Sequence, residues 1–419
     1  MDTVCINKES SAELDESIRS MFKWYNGAKM CIVYLAQTES VHNMHKDKWF
    51  TRGWTLQELL APSRIMFCAS NWSTIRFPSS NRKGALFNNY LDKTRARRTS
   101  TSPSPLLSMI CKAAGLTVYE LCNFPNFATR RISIWRKMEW AANREVTREE
   151  DTAYSLMGLF NVSMPTGYGE GAKQAFHRLV REILNSKTTS VSQLEIINWG
   201  SQGPSSDYSA FGKFLRLSDD RLSSSVLIPD SPRLYVTSPE SRNVHFYPPS
   251  VPITLSHLGL CVPVLLMPAA HLTSTLAGTA DEGNSGYEFP PRGDYSATFT
   301  HSEHPHPSFQ LREFCNLLDG RLFSRNSPFS PRATRIFAVL NIAEKSAEVL
   351  LPETGPCLAI QVHPNPGIEG WTIPEGVEFT TKPTVRPFTF YINYHNKTSF
   401  RIPKDKLTHY GMTLRMTYL

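Results

Sequence analysis

The sequence predicts a chain of three parts. An α/β N-terminal part on a doubly wound parallel sheet comes first, then a helical middle segment, then a β-rich C-terminal domain, an antiparallel sandwich or barrel. Three observations carry this. The first seventy residues alternate short apolar runs with amphipathic stretches. Residues 105–186 place apolar side chains at helical spacing. After about Asn198 the chain turns to short alternating or β-branched runs parted by prolines, among them "RLYVT", "RIFAVLNI", "CLAIQVH" and "FTFYINY".

At the front, "TVCI" reads as a strand. Ser10 offers an N-cap with Glu13 three residues on, a capping-box pattern. Leu14, Ile18, Met21, Phe22 and Tyr25 follow as one helical stripe. "MCIVYLA" is a continuous apolar run suited to a strand buried on both faces. A polar loop from Gln37 to Lys48 leads to a second helix, about Arg52 to Leu60, closed by Pro62, and "RIMFCA" makes a third strand. A sheet this small has few strands to cover its helices, so either the α/β part is incomplete or another segment of the chain fills the place.

Residues 71–108 are polar, basic and turn-rich, a solvated linker whose Ser/Pro-rich basic portion is 81–108. "SPLLSMICKAAGL" is a short helix and Ile132 to Asn143 another. Thr147 and Glu150 form a second capping box before Ala153, Leu156, Met157 and Phe160. Phe176, Leu179, Val180, Ile183 and Leu184 define the last helix of this region. The expected domains are therefore 1–80 (α/β), 81–108 (linker), 109–186 (helical), 187–222 (connector) and 223–419 (β-rich), with a mobile loop near 273–308.

With 41% apolar and 20% charged residues, a chain of 419 residues is globular and large enough for two or three cores. The formal charge of +8 permits an acidic partner without naming one. The cluster Arg95, Arg97 and Arg98 lacks interleaved aromatics beyond Tyr90, which disfavours nucleic acid. None of the eight cysteines forms a C-x-x-C pair, so they read as reduced core thiols in a cytoplasmic protein. "LGLCVPVLLMPAA", the longest apolar run, is too short to span a membrane and contains proline. Sequons at Asn71, Asn161 and Asn396 would then go unused.

Four stretches invite a chemical reading. "GYGEG" precedes a helix but lacks phosphate-loop spacing, so a tight turn with glycines at positive φ is expected. "HSEHPHP" holds His301, His304 and His306 at a spacing that suits no metal, and reads as a surface loop. "REVTREED" places acids in a first helical turn, a structural use. In "FTRGWTLQELLAP", Leu56, Leu59 and Leu60 share one helix face while Trp54 and Glu58, one turn apart, share the other. Trp54 is then either packing material between helices or, with Glu58, one wall of a cleft. Spacing alone favours packing.

"DTVCINKESSAELDESIRSMFKWY", "WFTRGWTLQELLAPSRIMF" and "RKMEWAANREVTREEDTAYSLMGLFNVSMPTGYGEGAKQAFHRLVREI" together resemble the fungal heterokaryon-incompatibility (HET) domain and the helical region that follows it. The resemblance covers residues 1–186, with Asn7 where an aspartate is usual. That family's domain starts with a strand and an S-x-x-W-like motif that nothing before Met1 supplies, so an N-terminally truncated member is expected. The resemblance implies vegetative incompatibility, non-self recognition and cell death, exerted through protein partners or self-association; because the front of the domain is missing, no catalysis is expected, and no metal or cofactor is expected either. HET domains are distantly similar to TIR domains, whose catalytic helix has a W-x-x-x-E-L pattern that Trp54, Glu58 and Leu59 match. The alternative implied by that likeness is a TIR-like NAD-hydrolysing enzyme. Glu58 would be catalytic, Arg52 and Trp54 would hold NAD as substrate, and Trp49 could also stack on it.

Overall fold

The computed structural model of the chain describes residues 5–7, 9–75, 81–86, 105–124, 132–186, 193–197, 228–235, 247, 253–256, 259–269, 271–274, 295–301, 304–311, 335–352, 357–364, 379–380, 388–393, 401–407 and 413–418. The chain forms two compact units, Met1–Val191 with Asp230–Tyr235, and Ser192–Pro229 with Val236–Leu419. Among the described residues, no helix is long and apolar enough to cross a membrane.

In the first unit, Ser10 caps helix α1 (Ser11–Gly27), its hydroxyl accepting the Glu13 N–H at 3.3 Å. The reciprocal half of the box is not made, because Glu13 Oε1 accepts from the Asn7 amide at 3.0 Å instead. Ile18 and Met21 are buried and Leu14, Phe22 and Tyr25 half-buried, the stripe that the spacing predicts. "TVCI" is not the expected strand. Cys5 is helical and exposed, and Thr3 and Val4 lie outside the described residues. The cause is local: Ile6 turns inward and Asn7 is committed to Glu9 and Glu13, so the run feeds the cap of α1.

Strand β1 (Cys31–Tyr34) pairs in parallel with β2 (Ile65–Cys68), and the short helix α2 (Thr55–Leu60) lies between them in the chain. The third strand, β3 (Thr74–Ile75), runs antiparallel to β2, giving the order β1-β2-β3. Among the described residues the sheet is therefore a βαβ unit with an antiparallel edge, smaller than a doubly wound sheet. Nor is β1 buried on both faces. Val33 and Leu35 point into the core, whereas Ile32 and Tyr34 are exposed by 55% and 39%. An aromatic stack covers part of that outer face, Tyr34 on Trp72 with ring centroids 4.5 Å apart.

The segment expected as a solvated linker is partly built in. Besides β3, Ile65 N donates to Asn81 O at 3.1 Å and Lys83 N to Ser63 O at 3.0 Å, and the Lys83 side chain is buried. The region around Arg95 lies outside the described residues.

Helices α3 (Pro105–Ala114), α4 (Val118–Asn123), α5 (Ile134–Ala142), α6 (Asp151–Tyr154), α7 (Met157–Phe160) and α8 (Ala172–Asn185) complete the unit. Thr117 and Glu120 make the reciprocal capping box of α4, and the Glu120 carboxylate also holds the Arg136 guanidinium at 2.7 Å. In contrast, Thr147 and Glu150 make no box, because the Glu150 carboxylate is drawn to the glycine turn before α8. Gly158 of α7 lies against Phe22 of α1, so that a β-carbon there would overlap the ring. Lys137 of α5 is buried and donates to the Leu159 carbonyl at 3.1 Å, its ammonium 5.3 Å from the Phe160 ring centroid. In α8, the five predicted apolar positions are all buried.

The second unit is β-rich and antiparallel, as the alternating runs predict. Its larger sheet runs in the order Thr413–Tyr418, Gly259–Ala269, Arg335–Val339, Cys357–Pro364, Phe388–Asn393, His304–Leu311, Tyr295–His301, His271–Ser274. A smaller sheet joins Ala343–Glu344, Glu348–Leu350 and Arg401–Pro403. Parts of the expected loop 273–308 are strand: Tyr295–His301 and His304–Leu311 pair antiparallel, with His301 opposite His304. The described residues of "HSEHPHP" are thus strand rather than loop, since the β-branched and aromatic residues of "YSATFTH" favour pairing.

Candidate functional site

Helix α2 is enclosed on almost every side. Leu56, Leu59 and Leu60 are fully buried, as their shared face predicts, and so are Thr55 and Gln57. Within Thr55–Leu60 only Glu58 is half-exposed. A helix this short cannot hold itself in water. Its neighbours along the chain 90 to 100 residues later do so, and the hydrogen bonds say how.

The backbone of Arg52 forms a parallel bridge with Glu145. Gly53 N donates to Glu145 O at 2.8 Å and Glu145 N to Thr51 O at 2.6 Å. Gly53 is needed for that approach, since a β-carbon there would meet Val146 at 2.5 Å. Arg144 reaches under the bridge and donates to Arg52 O at 2.9 Å and to the Thr55 hydroxyl at 3.2 Å. Gln57 Nε2 donates to Ser155 O at 2.6 Å. The Trp54 side chain acts on the carboxyl of Asp151, which accepts the Tyr168 hydroxyl at 2.8 Å. Burial raises the Asp151 pKa, and those two side chains restrain the rise.

The predicted trio therefore divides. Arg52 contributes its main chain to the joint and its side chain is exposed. Trp54 is half-buried with its polar edge on α6. Glu58 lies within the electrostatic reach of Arg144: burial pushes that guanidinium down to about 10, and the Glu58 charge pulls it back up. Burial pushes the Cys31 thiol up to about 12, with Glu58 adding to the rise. Arg144, Asp151 and Ser155 were missed as partners because residues so far apart in sequence carry no shared periodicity.

The C-terminal end of α2 is closed by Lys83, whose ammonium donates to the Leu59 carbonyl and, at 3.1 Å, to the Leu60 carbonyl. Full burial pushes Lys83 down to about 7. Around it Leu59, Ile110, Leu121 and Cys122 line a crevice with no room for a water molecule.

"GYGEG" is the expected tight turn, with Gly169 at φ +99° and Gly171 at φ +84°. The amides of Gly169 and Gly171 point at Glu150 Oε1, at 2.6 and 3.2 Å. An internal carboxylate thus occupies the place that an anion would take in a phosphate loop. Glu170 is held by Arg178, at 2.6 Å, and by the Tyr154 hydroxyl, at 2.5 Å.

No family model matches the chain and no solved structure matches it. Among curated proteins it is similar to the vegetative incompatibility protein HET-E-1 of Podospora anserina, 36% identical over 194 residues. The similarity covers 44% of this chain and 12% of that protein, so the chain spans a small fraction of the relative it matches.

Proposed function

We propose that this chain is an incompatibility-type protein of fungal non-self recognition and cell-death signalling, acting in the cytoplasm through contacts with protein partners or with further copies of itself. The similarity to HET-E-1 carries the reading. The joint around α2 supports the mode of action. Polar groups of "TRGWTLQE" are engaged inside the protein, with Gly53 on Glu145, Trp54 on Asp151 and Gln57 on Ser155. Glu58 lies within electrostatic reach of Arg144, which supports a packing role that needs no substrate. A block used this way makes a rigid body able to present surfaces, which is what signalling by contact requires.

The second reading is a TIR-like NAD hydrolase. Glu58 favours it as the half-exposed position on α2, since a carboxylate near a breaking ribosyl bond stabilises the oxocarbenium-like state. Two measurements separate the readings. Purified full-length chain is incubated with NAD at high protein concentration, and nicotinamide release is followed. The chain is also expressed in a fungal cell as wild type and as Glu58→Gln. The contact reading expects no release and equal toxicity. Nicotinamide release and toxicity that both vanish in a folded Glu58→Gln would replace it with the enzyme.

A further inference from the structure

Six residues of the first unit arrive from far along the chain. Asp230–Tyr235 belongs to it, while Ser192–Pro229 before and Val236–Leu419 after belong to the second unit. The turn Pro232–Leu234 packs on α5, and Asp230 reaches α8, where Lys173 Nζ lies 3.1 Å and His177 Nε2 3.0 Å from its two carboxylate oxygens. Pro232 and Tyr235 are buried, Tyr235 completely.

The segment is shaped by itself. Ser231 Oγ accepts the Arg233 amide at 3.3 Å, Pro232 opens the turn, and Tyr235 N donates to Pro232 O at 2.9 Å. Proline fixes φ in advance, so little chain entropy remains to be lost on docking. Its described holds on the helices are an ion pair at one end and buried rings behind it. These are the marks of a short linear peptide seated in a groove, an arrangement that does not depend on the peptide being in the same chain.

We propose that the α5–α8 groove is a docking site for a linear peptide with a carboxylate two residues before a proline and five before a tyrosine, and that Asp230–Tyr235 is its resident, displaceable occupant. A partner protein bearing the same pattern competes with the tethered segment. Release of that segment then couples partner binding to the rest of the chain.

The test uses the full chain and a fluorescein-labelled synthetic peptide of residues 226 to 238. Asp230→Lys with Tyr235→Ser empties the groove, and Asp230→Lys alone weakens the resident without removing a buried ring. Binding is read by fluorescence anisotropy. Both variants are expected to bind the peptide saturably, and the wild type roughly tenfold or more weakly because its tethered copy competes at high effective concentration. Adding Lys173→Glu to the double variant is expected to abolish binding of the native peptide and to favour a peptide carrying Asp230→Lys, whereas adding it to Asp230→Lys alone restores the resident's ion pair and should weaken binding of both peptides. If the double variant does not fold, the Asp230→Lys chain alone decides. Equal binding to wild type and variants, or none to a variant that retains its far-UV circular dichroism, overturns the proposal.

Discussion

The side-chain amide of Gln57 donates to the carbonyl of Ser155 at 2.6 Å across 98 residues of sequence, and both groups are buried. With the Arg52–Glu145 bridge it makes the βαβ unit and the helices one body. Replacing Gln57 with leucine keeps the volume and leaves the Ser155 carbonyl without this donor. Chemical denaturation is expected to show a loss of about 1–3 kcal/mol.

Glycine at 158 is required by proximity. In Gly158→Ala the methyl group overlaps Phe22, and α1 and α7 have to separate. A loss of about 1–3 kcal/mol is expected from overpacking. The double variant Gly158→Ala/Phe22→Leu, which makes room, should recover part of it in the same denaturation series.

Lys83 gives a pH signature. Its folded pKa of about 7 lies below the ordinary 10.5, so above pH 7 the unfolded chain binds more protons and stability rises with pH. Between pH 7 and 8, below the ordinary thiol pKa of about 8.5, the slope from this group climbs toward about 1.4 kcal/mol per pH unit. Lys83→Met should remove that slope, as read from urea midpoints at the two pH values.

On the acid side the slope has the same sign for Glu150. Burial raises its pKa, but the Gly169 and Gly171 amides and Arg148 more than offset that and hold it below 4.5. Its contribution is present above about pH 4.5 and lost as pH falls through the lowered folded value. Glu150→Gln should start less stable at pH 7 and lose less than the wild type between pH 5 and pH 3 in thermal melts.

Much of the first unit was legible as local pattern. The stripe of α8, the leucine face of α2 and the Ser10 cap each depend on residues within two turns of one another. The Thr117-x-x-Glu120 box was equally readable and passed over. The failures share a cause. "TVCI" and "MCIVYLA" have strand composition, yet what surrounds a strand is decided by distant segments, so the run at Cys5 became part of a cap and β1 kept an open face. Lys83 looked like linker because a lysine in a polar run gives no sign that a helix end elsewhere needs a donor. Trp54 and Glu58, one turn apart, are both half-exposed, but the groups they act on, Asp151 and Arg144, lie about 90 residues further along the chain, where no local pattern reaches.

Buried cations sit on carbonyls at the ends of two short helices, Lys83 on α2 and Lys137 on α7, in addition to the local stops at Pro62 and at Asn161, whose φ is +54°. A gene fragment cut after residue 80 would encode α2 without the ammonium group that closes it. Such a fragment should stay largely uncoiled even though it contains the whole "WTLQELL" block. Work on this block therefore has to be done in chains long enough to bring the cations along.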